Sequence, residues 1–336
     1  MISTRLLLLF FAVTSAAALS AGMLWATRPL LQRYTLARPN ARSSHQTPTP
    51  QGAGVALVPS TLLIAAACSA MLDIAPPLEL FAATLLLAFI GLVDDIKSAP
   101  VLPRLLIQTA AISMVLSLAP PDLRLVAACP VGVERTLLLL AALWFVNLVN
   151  FMDGLDLMTV SEVVPITGAL LVLGILGEYP ASATIVAAAL CGTMLGFYPF
   201  NRPVAKVFLG DVGSLPTGLL LGWCLLQLAW QHQIIAATLL PLYYLLDATI
   251  TLLRRISRRE RFWVAHRTHF YQRATDNGFT VYDVTGEVFT LNIALGCLAV
   301  VSTKGSSVQG VVLLAAGVAA VSFVLYRFSR QRSLEA

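Results

Sequence analysis

The sequence predicts an all-α protein, a polytopic bundle of about eleven membrane-spanning helices. Three observations carry this expectation. Of 336 residues, 58% are hydrophobic and only 12% charged, against the roughly 25% charged found in soluble domains. The mean hydropathy is +0.81. Apolar runs of about 20 residues, the length that crosses a bilayer, recur from one end of the chain to the other. A single core cannot hide so much apolar surface, so lipid must be the solvent and the backbone must satisfy its own hydrogen bonds as helices.

Taken in order, the apolar runs fall near 5–25, 55–73, 78–93, 104–120, 136–152, 159–177, 181–199, 213–231, 234–253, 286–303 and 309–326. The first follows Arg5, and its Ala-rich stretch from Ser15 to Ala21 has the look of a processing region. It is read as a retained span because so many similar spans follow. Two polar segments interrupt the series, 26–54 and 254–285. The first contains RPNARSSHQTPTPQGAG, whose Pro, Ser and Thr content predicts an ordered loop. In the eighth run Gly218 and Gly222 form a GxxxG, which predicts close helix packing. No internal repeat is visible, and residues 1–336 are read as one domain.

The net charge of +5 does not signal nucleic acid, because basic residues in such a chain mark the cytoplasmic side first. With the N-terminus outside, the inner loops and tail hold eighteen of the 22 Lys and Arg residues, and the outer loops hold Arg5, Arg124, Arg135 and Lys304. That bias predicts a periplasmic N-terminus, and a cytoplasmic C-terminus and working face. The five cysteines are odd in number and form no CxxC pair, which argues against a disulfide framework or a zinc site.

The acids are few and unevenly placed. Asp94 and Asp95 close the third run in GLVDDIKSAP, Asp153 and Asp156 close the fifth in NLVNFMDGLD, Asp211 opens the eighth in KVFLGDVGS, and Asp247 lies in the ninth. Each falls at or near the inner boundary, where ionisable groups are costly and point to function. The bland alternative, solvated aspartates at span ends, explains one of them better than it explains the set. Adjacent Asp94 and Asp95 call for a cation between or beside them. Hard carboxylate oxygens completed by water and phosphate describe a magnesium site, with Asn147 and Asn150 nearby. Lys97, Arg104, Arg202 and Lys206 flank these acids, and His266-Arg267-Thr268-His269 sits in a loop with seven arginines. Guanidinium and ammonium groups of this kind bind phosphates, although the run from Arg254 to Arg261 reads equally as an attraction to anionic lipid. Gly210 and Gly213 bracket Asp211 before a helix, where free amides could face an anion.

The five motifs RPNARSSHQTPTPQGAG, GLVDDIKSAP, NLVNFMDGLD, KVFLGDVGS and HRTHFYQR, in that order, resemble those of the polyprenyl-phosphate N-acetylhexosamine-1-phosphate transferases. The resemblance covers roughly 38–272. HRTHFYQR looks more like the O-antigen-initiating group than the His-rich run of translocase I of peptidoglycan synthesis. It implies a bacterial inner-membrane enzyme that moves an N-acetylhexosamine-1-phosphate from a UDP-sugar to undecaprenyl phosphate, releases UMP and requires Mg2+, with Mn2+ as a substitute. By motif it implies Asp94 and Asp95 as the catalytic pair, and Asp211 with Asn150 and Asp95 at the metal. Lys97, Arg104, Asn147, Asp153, Asp156, Lys206, His266, Arg267, His269, Ser43 and His45 fall at substrate-binding positions. Two residues depart from the pattern: Leu157 replaces a usual glycine and Gln51 a usual basic residue.

Other readings stay open at this stage. A translocase I-type phospho-N-acetylmuramoyl-pentapeptide transferase is the alternative within the family, and a secondary transporter the alternative outside it. The transporter reading expects acids near mid-span, whereas these gather on one side; a non-catalytic scaffold needs no acid constellation. The partners expected are the UDP-sugar, the lipid phosphate, membrane lipid and a second copy in a homodimer, with no nucleic acid.

Overall fold

A computed structural model describes residues 2–37, 48–260 and 266–332 of the chain. Among them the helices are α1 (Ile2–Tyr34), α2 (Gly54–Met71), α3 (Leu78–Ile96), α4 (Val101–Ser117), α5 (Val131–Met152), α6 (Met158–Ile175), α7 (Ala181–Asn201), α8 (Asp211–Trp230), α9 (Ile234–Leu239), α10 (Leu242–Ser257), α11 (Phe270–Asp276), α12 (Val281–Ser302) and α13 (Ser307–Phe328). Eight of the long helices are apolar enough to cross a membrane on their own. All eleven expected runs are helical, and the protein is a multi-pass membrane bundle. The ninth run differs from expectation: it is broken between α9 and α10, where Pro241 caps α10 and cannot supply the amide that a continuous helix needs.

The core is organised on α8, which packs against α2, α3, α5, α7 and α9. Small residues let it in. Gly218 and Gly222 face Val146 and Phe145 of α5 with no room for a Cβ at ordinary contact distance, so the GxxxG packs as expected. A second GxxxG that the sequence reading passed over, Gly192 and Gly196 of α7, lies against the backbone of Val13 and Ala17 in α1. Gly91 of α3 lies against the backbone of Asp211 and Val212, and this contact brings the ends of α3 and α8 together.

The two loops that meet at this end are joined by backbone. Strand β1 (Leu36–Ala37) pairs antiparallel with β2 (Thr49–Pro50), and Gln51 bridges in parallel to Phe208. Gly52 and Ala53 donate their N–H groups to Phe208 O at 3.1 and 3.0 Å, and Gly54 donates to Leu209 O at 3.2 Å. The start of α2 is thereby fixed to the start of α8. Helices running alternately up and down place the C-terminal ends of α3, α5, α7 and α10 and the N-terminal ends of α2, α4, α6 and α8 at this one end, which also carries most of the cations.

Candidate active site

Asp95, in the last turn of α3, places its carboxylate over the first turn of α8. Its Oδ1 accepts the Asp211 N–H at 2.9 Å and its Oδ2 the Val212 N–H at 3.1 Å. Helix N-termini leave such amides unpaired and favour negative charge there. The anion facing the Gly210–Gly213 turn is therefore the chain's own carboxylate, which corrects the reading of that turn as amides open to a ligand. Gly210, at φ +72°, has no space for a side chain beside Asp95 Oδ2 and Gly52 N, so the approach depends on glycine. The Gln51 amide donates to the Asp95 carbonyl at 3.1 Å. The residue that departs from the family pattern thus ties down the same corner.

With α8 fixed, Asp211 and Asp94 converge on one guanidinium nitrogen. Arg104 Nη1 lies 3.0 Å from Asp94 Oδ2 and 3.4 Å from Asp211 Oδ2. The other Asp94 oxygen accepts the Ala99 N–H at 2.6 Å. Asn150 Nδ2 donates to Asp211 Oδ1 and to Ser214 Oγ, both at 2.8 Å. The side chains of Arg104, Asp94 and Asp211 are all partly exposed, at 20%, 17% and 23%, so the cluster is reachable from outside the bundle.

Among the described residues no three His, Cys, Asp or Glu side chains form a metal cluster. Magnesium in phosphate sites is commonly held by one or two carboxylates and completed by substrate oxygens and water. Asp94 and Asp211 already share one cation between them, with Asn150 supplying a neutral amide, so this donor set fits that hard ion.

The other expected residues distribute around this centre. Lys97, two residues past Asp95, and Lys206, five before Asp211, are exposed. Asn147 turns away, donating to Gln108 Oε1 at 2.7 Å, and Asp156 accepts the Ala205 N–H at 3.0 Å from the loop between α7 and α8. Asp153, just past α5, is bonded by the Thr159 hydroxyl at 2.5 Å. Burial pushes its carboxyl up to about 7, aided by Asp95 and Asp156 and partly offset by Thr159. Leu157 has φ +64° and donates its N–H to Asn201 Oδ1 at 2.8 Å. This left-handed backbone is the physical reason a glycine suits that position. Ser43 and His45 lie outside the described residues.

A second cluster sits where α10 meets α11, and it joins the expected substrate-binding residues His266, Arg267 and His269 to Asp247, for which no partner was expected. Asp247, fully buried, accepts from the Phe270 and Tyr271 amides at 3.0 and 3.2 Å and contacts His269 Nδ1 at 3.2 Å. The rings of His266 and His269 stack at 5.0 Å. Burial, with His269 and Arg255 adding to it, lowers His266 to about 4, which keeps that ring neutral at physiological pH. Arg267 pairs with Asp276 at 3.3 Å. Tyr271 links the two clusters, donating its hydroxyl to Phe151 O at 3.1 Å. Gly154 packs against Tyr271 and Gln272 with no space for a side chain.

Toward the opposite end of α4 and α8 from Arg104 and Asp211, these helices and α5 line a half-open apolar cavity of about 320 Å³, to which α9 and α10 also contribute. Its wall includes Ile112, Val146, Gly218 and Leu219, deeper along the helices that carry Arg104, Asn150 and Asp211.

The architecture and site define a multi-pass helical membrane protein with a carboxylate and guanidinium cluster at one end. Residues 78–229 match the profile of glycosyl transferase family 4, a stretch that includes Asp94, Asp95, Arg104, Asn150, Asp153 and Asp211. Relatives include a phospho-N-acetylmuramoyl-pentapeptide-transferase of Limosilactobacillus fermentum, 28% identical over 46% of this chain and 48% of the relative. The decaprenyl-phosphate N-acetylglucosaminephosphotransferases of Mycolicibacterium smegmatis and Mycobacterium leprae are 29% and 25% identical, over 56% and 72% of this chain and 52% and 70% of the relatives. The chain thus spans about half the length of the first two of these proteins. The resemblance to the polyprenyl-phosphate N-acetylhexosamine-1-phosphate transferase superfamily, drawn from five short motifs, holds across these matches.

Proposed function

We propose that the protein transfers an N-acetylhexosamine-1-phosphate from a UDP-sugar to undecaprenyl phosphate, releasing UMP and starting a lipid-linked glycan of the O-antigen type or a related envelope polysaccharide. The observation that carries this reading is the convergence of Asp94 and Asp211 on Arg104, within the segment matched to glycosyl transferase family 4. The apolar cavity along the same helices supports a lipid acceptor. The basic end would face the cytoplasm, where UDP-sugars are found, in an inner membrane.

Chemically, a phosphate oxygen of the lipid attacks the β-phosphorus of the UDP-sugar. The bond from that phosphorus to the bridging oxygen breaks, and the electron pair leaves with UMP. Such transfers ask a protein mainly for positioning and charge neutralisation. A phosphomonoester has a second pKa of about 6, so the acceptor reaches the site largely as the dianion and needs no strong base to attack. Arg104, Lys97 and Lys206 supply charge for phosphate oxygens. Asp211, Asp94 and Asn150 would hold Mg2+, or Mn2+ in its place, whose chemistry when bound is to neutralise charge on the diphosphate; Asp95, expected among the ligands, has both oxygens on the first amides of α8. Asp95 keeps the first turn of α8 in place, so that Asp211 points toward Arg104.

A translocase I-type reaction is the second reading, favoured by the relatives named phospho-N-acetylmuramoyl-pentapeptide-transferase. One experiment tests both. Purified protein in detergent is given undecaprenyl phosphate, magnesium and a panel of UDP-N-acetyl sugars that includes the muramoyl-pentapeptide form, with an EDTA control. UMP release that needs both lipid and metal establishes the activity and names the sugar. Folded protein that releases none with any donor overturns the proposal.

A further inference from the structure

We propose that Asp247 is a positioning residue for the transfer, acting through His269; this rests on the transferase reading above. Asp247 is fully enclosed and has no surface for a substrate. Its oxygens are nevertheless crowded with donors. Oδ1 takes the Phe270 N–H at 3.0 Å, His269 Nδ1 at 3.2 Å and the Thr251 hydroxyl at 3.4 Å. Oδ2 takes the Tyr271 N–H and the Tyr243 hydroxyl, each at 3.2 Å. A buried carboxylate is tolerated only with such company, and here most of it comes from residues more than twenty positions further along the chain. The carboxylate pins the start of α11 to α10.

That joint fixes one imidazole. A carboxylate at Nδ1 places the ring proton there in the neutral form and leaves Nε2 as the acceptor. It is the same logic by which a buried aspartate holds a histidine in the useful tautomer elsewhere. The His269 ring is further held by stacking on His266 at 5.0 Å and on Tyr271 at 5.7 Å. Tyr271 reaches the end of α5 through its bond to Phe151 O, so Asp247, His269 and the loop holding Asp153 are mechanically one unit. Asp247→Asn strikes at this unit, since one acceptor oxygen becomes an NH2 group facing donors in either amide orientation.

The test combines a double-mutant cycle with a spectroscopic signature. UMP release is measured for wild type, Asp247→Asn, His269→Ala and the double variant, with kcat and KM separated. The expected result for Asp247→Asn is a kcat loss on the order of 10–100-fold, the scale found for partners that orient a metal-ligating imidazole. The double variant should then be no slower than His269→Ala. Multiplying losses, or wild-type kcat in Asp247→Asn, would overturn the proposal. In parallel, 15N-histidine spectra of this chain, which has four histidines, should show an Nδ1-protonated His269 ring that becomes a tautomer mixture in Asp247→Asn. Identical spectra also overturn it. Should wild type release no UMP with any sugar, the transferase reading fails and the spectra alone decide whether Asp247 orients His269. If Asp247→Asn does not fold, Tyr243→Phe and Thr251→Val each remove one donor from the same carboxylate. Their kcat losses should vanish in the His269→Ala background, and losses that persist there count against the proposal.

Discussion

The two corners of the basic end are built from the same parts, an aspartate from one helix and the first turn of another, yet they do different work. At the α3–α8 corner the fastening acid has a neighbour. Asp95 spends both oxygens on backbone amides, and this leaves Asp94 and Asp211 facing a side chain, Arg104, that can move. At the α10–α11 corner the acid stands alone, and Asp247 is consumed by its five donors. A buried carboxylate whose oxygens are all taken by donors of the fold is a structural fastener, and one left partly exposed beside a guanidinium is available to a ligand.

The strongest way to break this comparison is Asp211→Asn. Turnover should fall by about 10²–10³-fold, the scale of losing a preorganised electrostatic group, with the melting temperature nearly unchanged; near-normal UMP release from the purified variant would remove Asp211 from the site. A second substitution pair sharpens the contrast between neighbours. Asp94→Asn should lose activity at constant stability, whereas Asp95→Asn should lose both, with about 2 kcal/mol of stability gone for two charge-assisted bonds to α8. Equal melting temperatures for the pair would contradict the fastening role.

A smaller effect concerns Asp153, whose carboxyl sits at about 7 when folded. A raised carboxyl pKa means the unfolded chain releases its proton first. Stability from this group is therefore greatest below about 4 and is lost as pH rises toward 7. Asp153→Asn should melt higher than wild type at pH 7.5 and equal to it near pH 4, which a detergent melting series over pH would check. The smallest effect is at Leu157. In a left-handed conformation, Leu157→Gly should be less destabilising than Leu157→Ala by about 1 kcal/mol, the reverse of their order inside a helix. Melting curves of the two variants read the difference directly.

Much of the fold was legible because lipid imposes length and apolarity on every span, and all eleven runs became helix. The break at Pro241 was not, since Pro29, Pro59, Pro165, Pro199 and Pro216 lie inside helices that continue. Whether a proline ends a helix depends on how neighbouring groups satisfy the freed carbonyl, which is tertiary information. The acids of the site were visible as misplaced charge, and Asp94, Asp95, Asp211, Asn150 and Arg104 do meet. Their division of labour was invisible, because it is set by which amides lie within reach. Asp247 illustrates the limit: its sequence announces a costly charge, but its partner His269 is known only once α11 folds back. Gly192 and Gly196 carried a readable spacing that was overlooked.

The backbone seam between 52–54 and 208–209 has a consequence for biogenesis. As the chain leaves the ribosome, the amides of Gly52, Ala53 and Gly54 lack their native partners until Phe208 and Leu209 have been synthesised and α8 inserted. The early helices therefore enter the membrane with an unfinished edge that only a late segment can close. A chain truncated before α8 would keep that edge open.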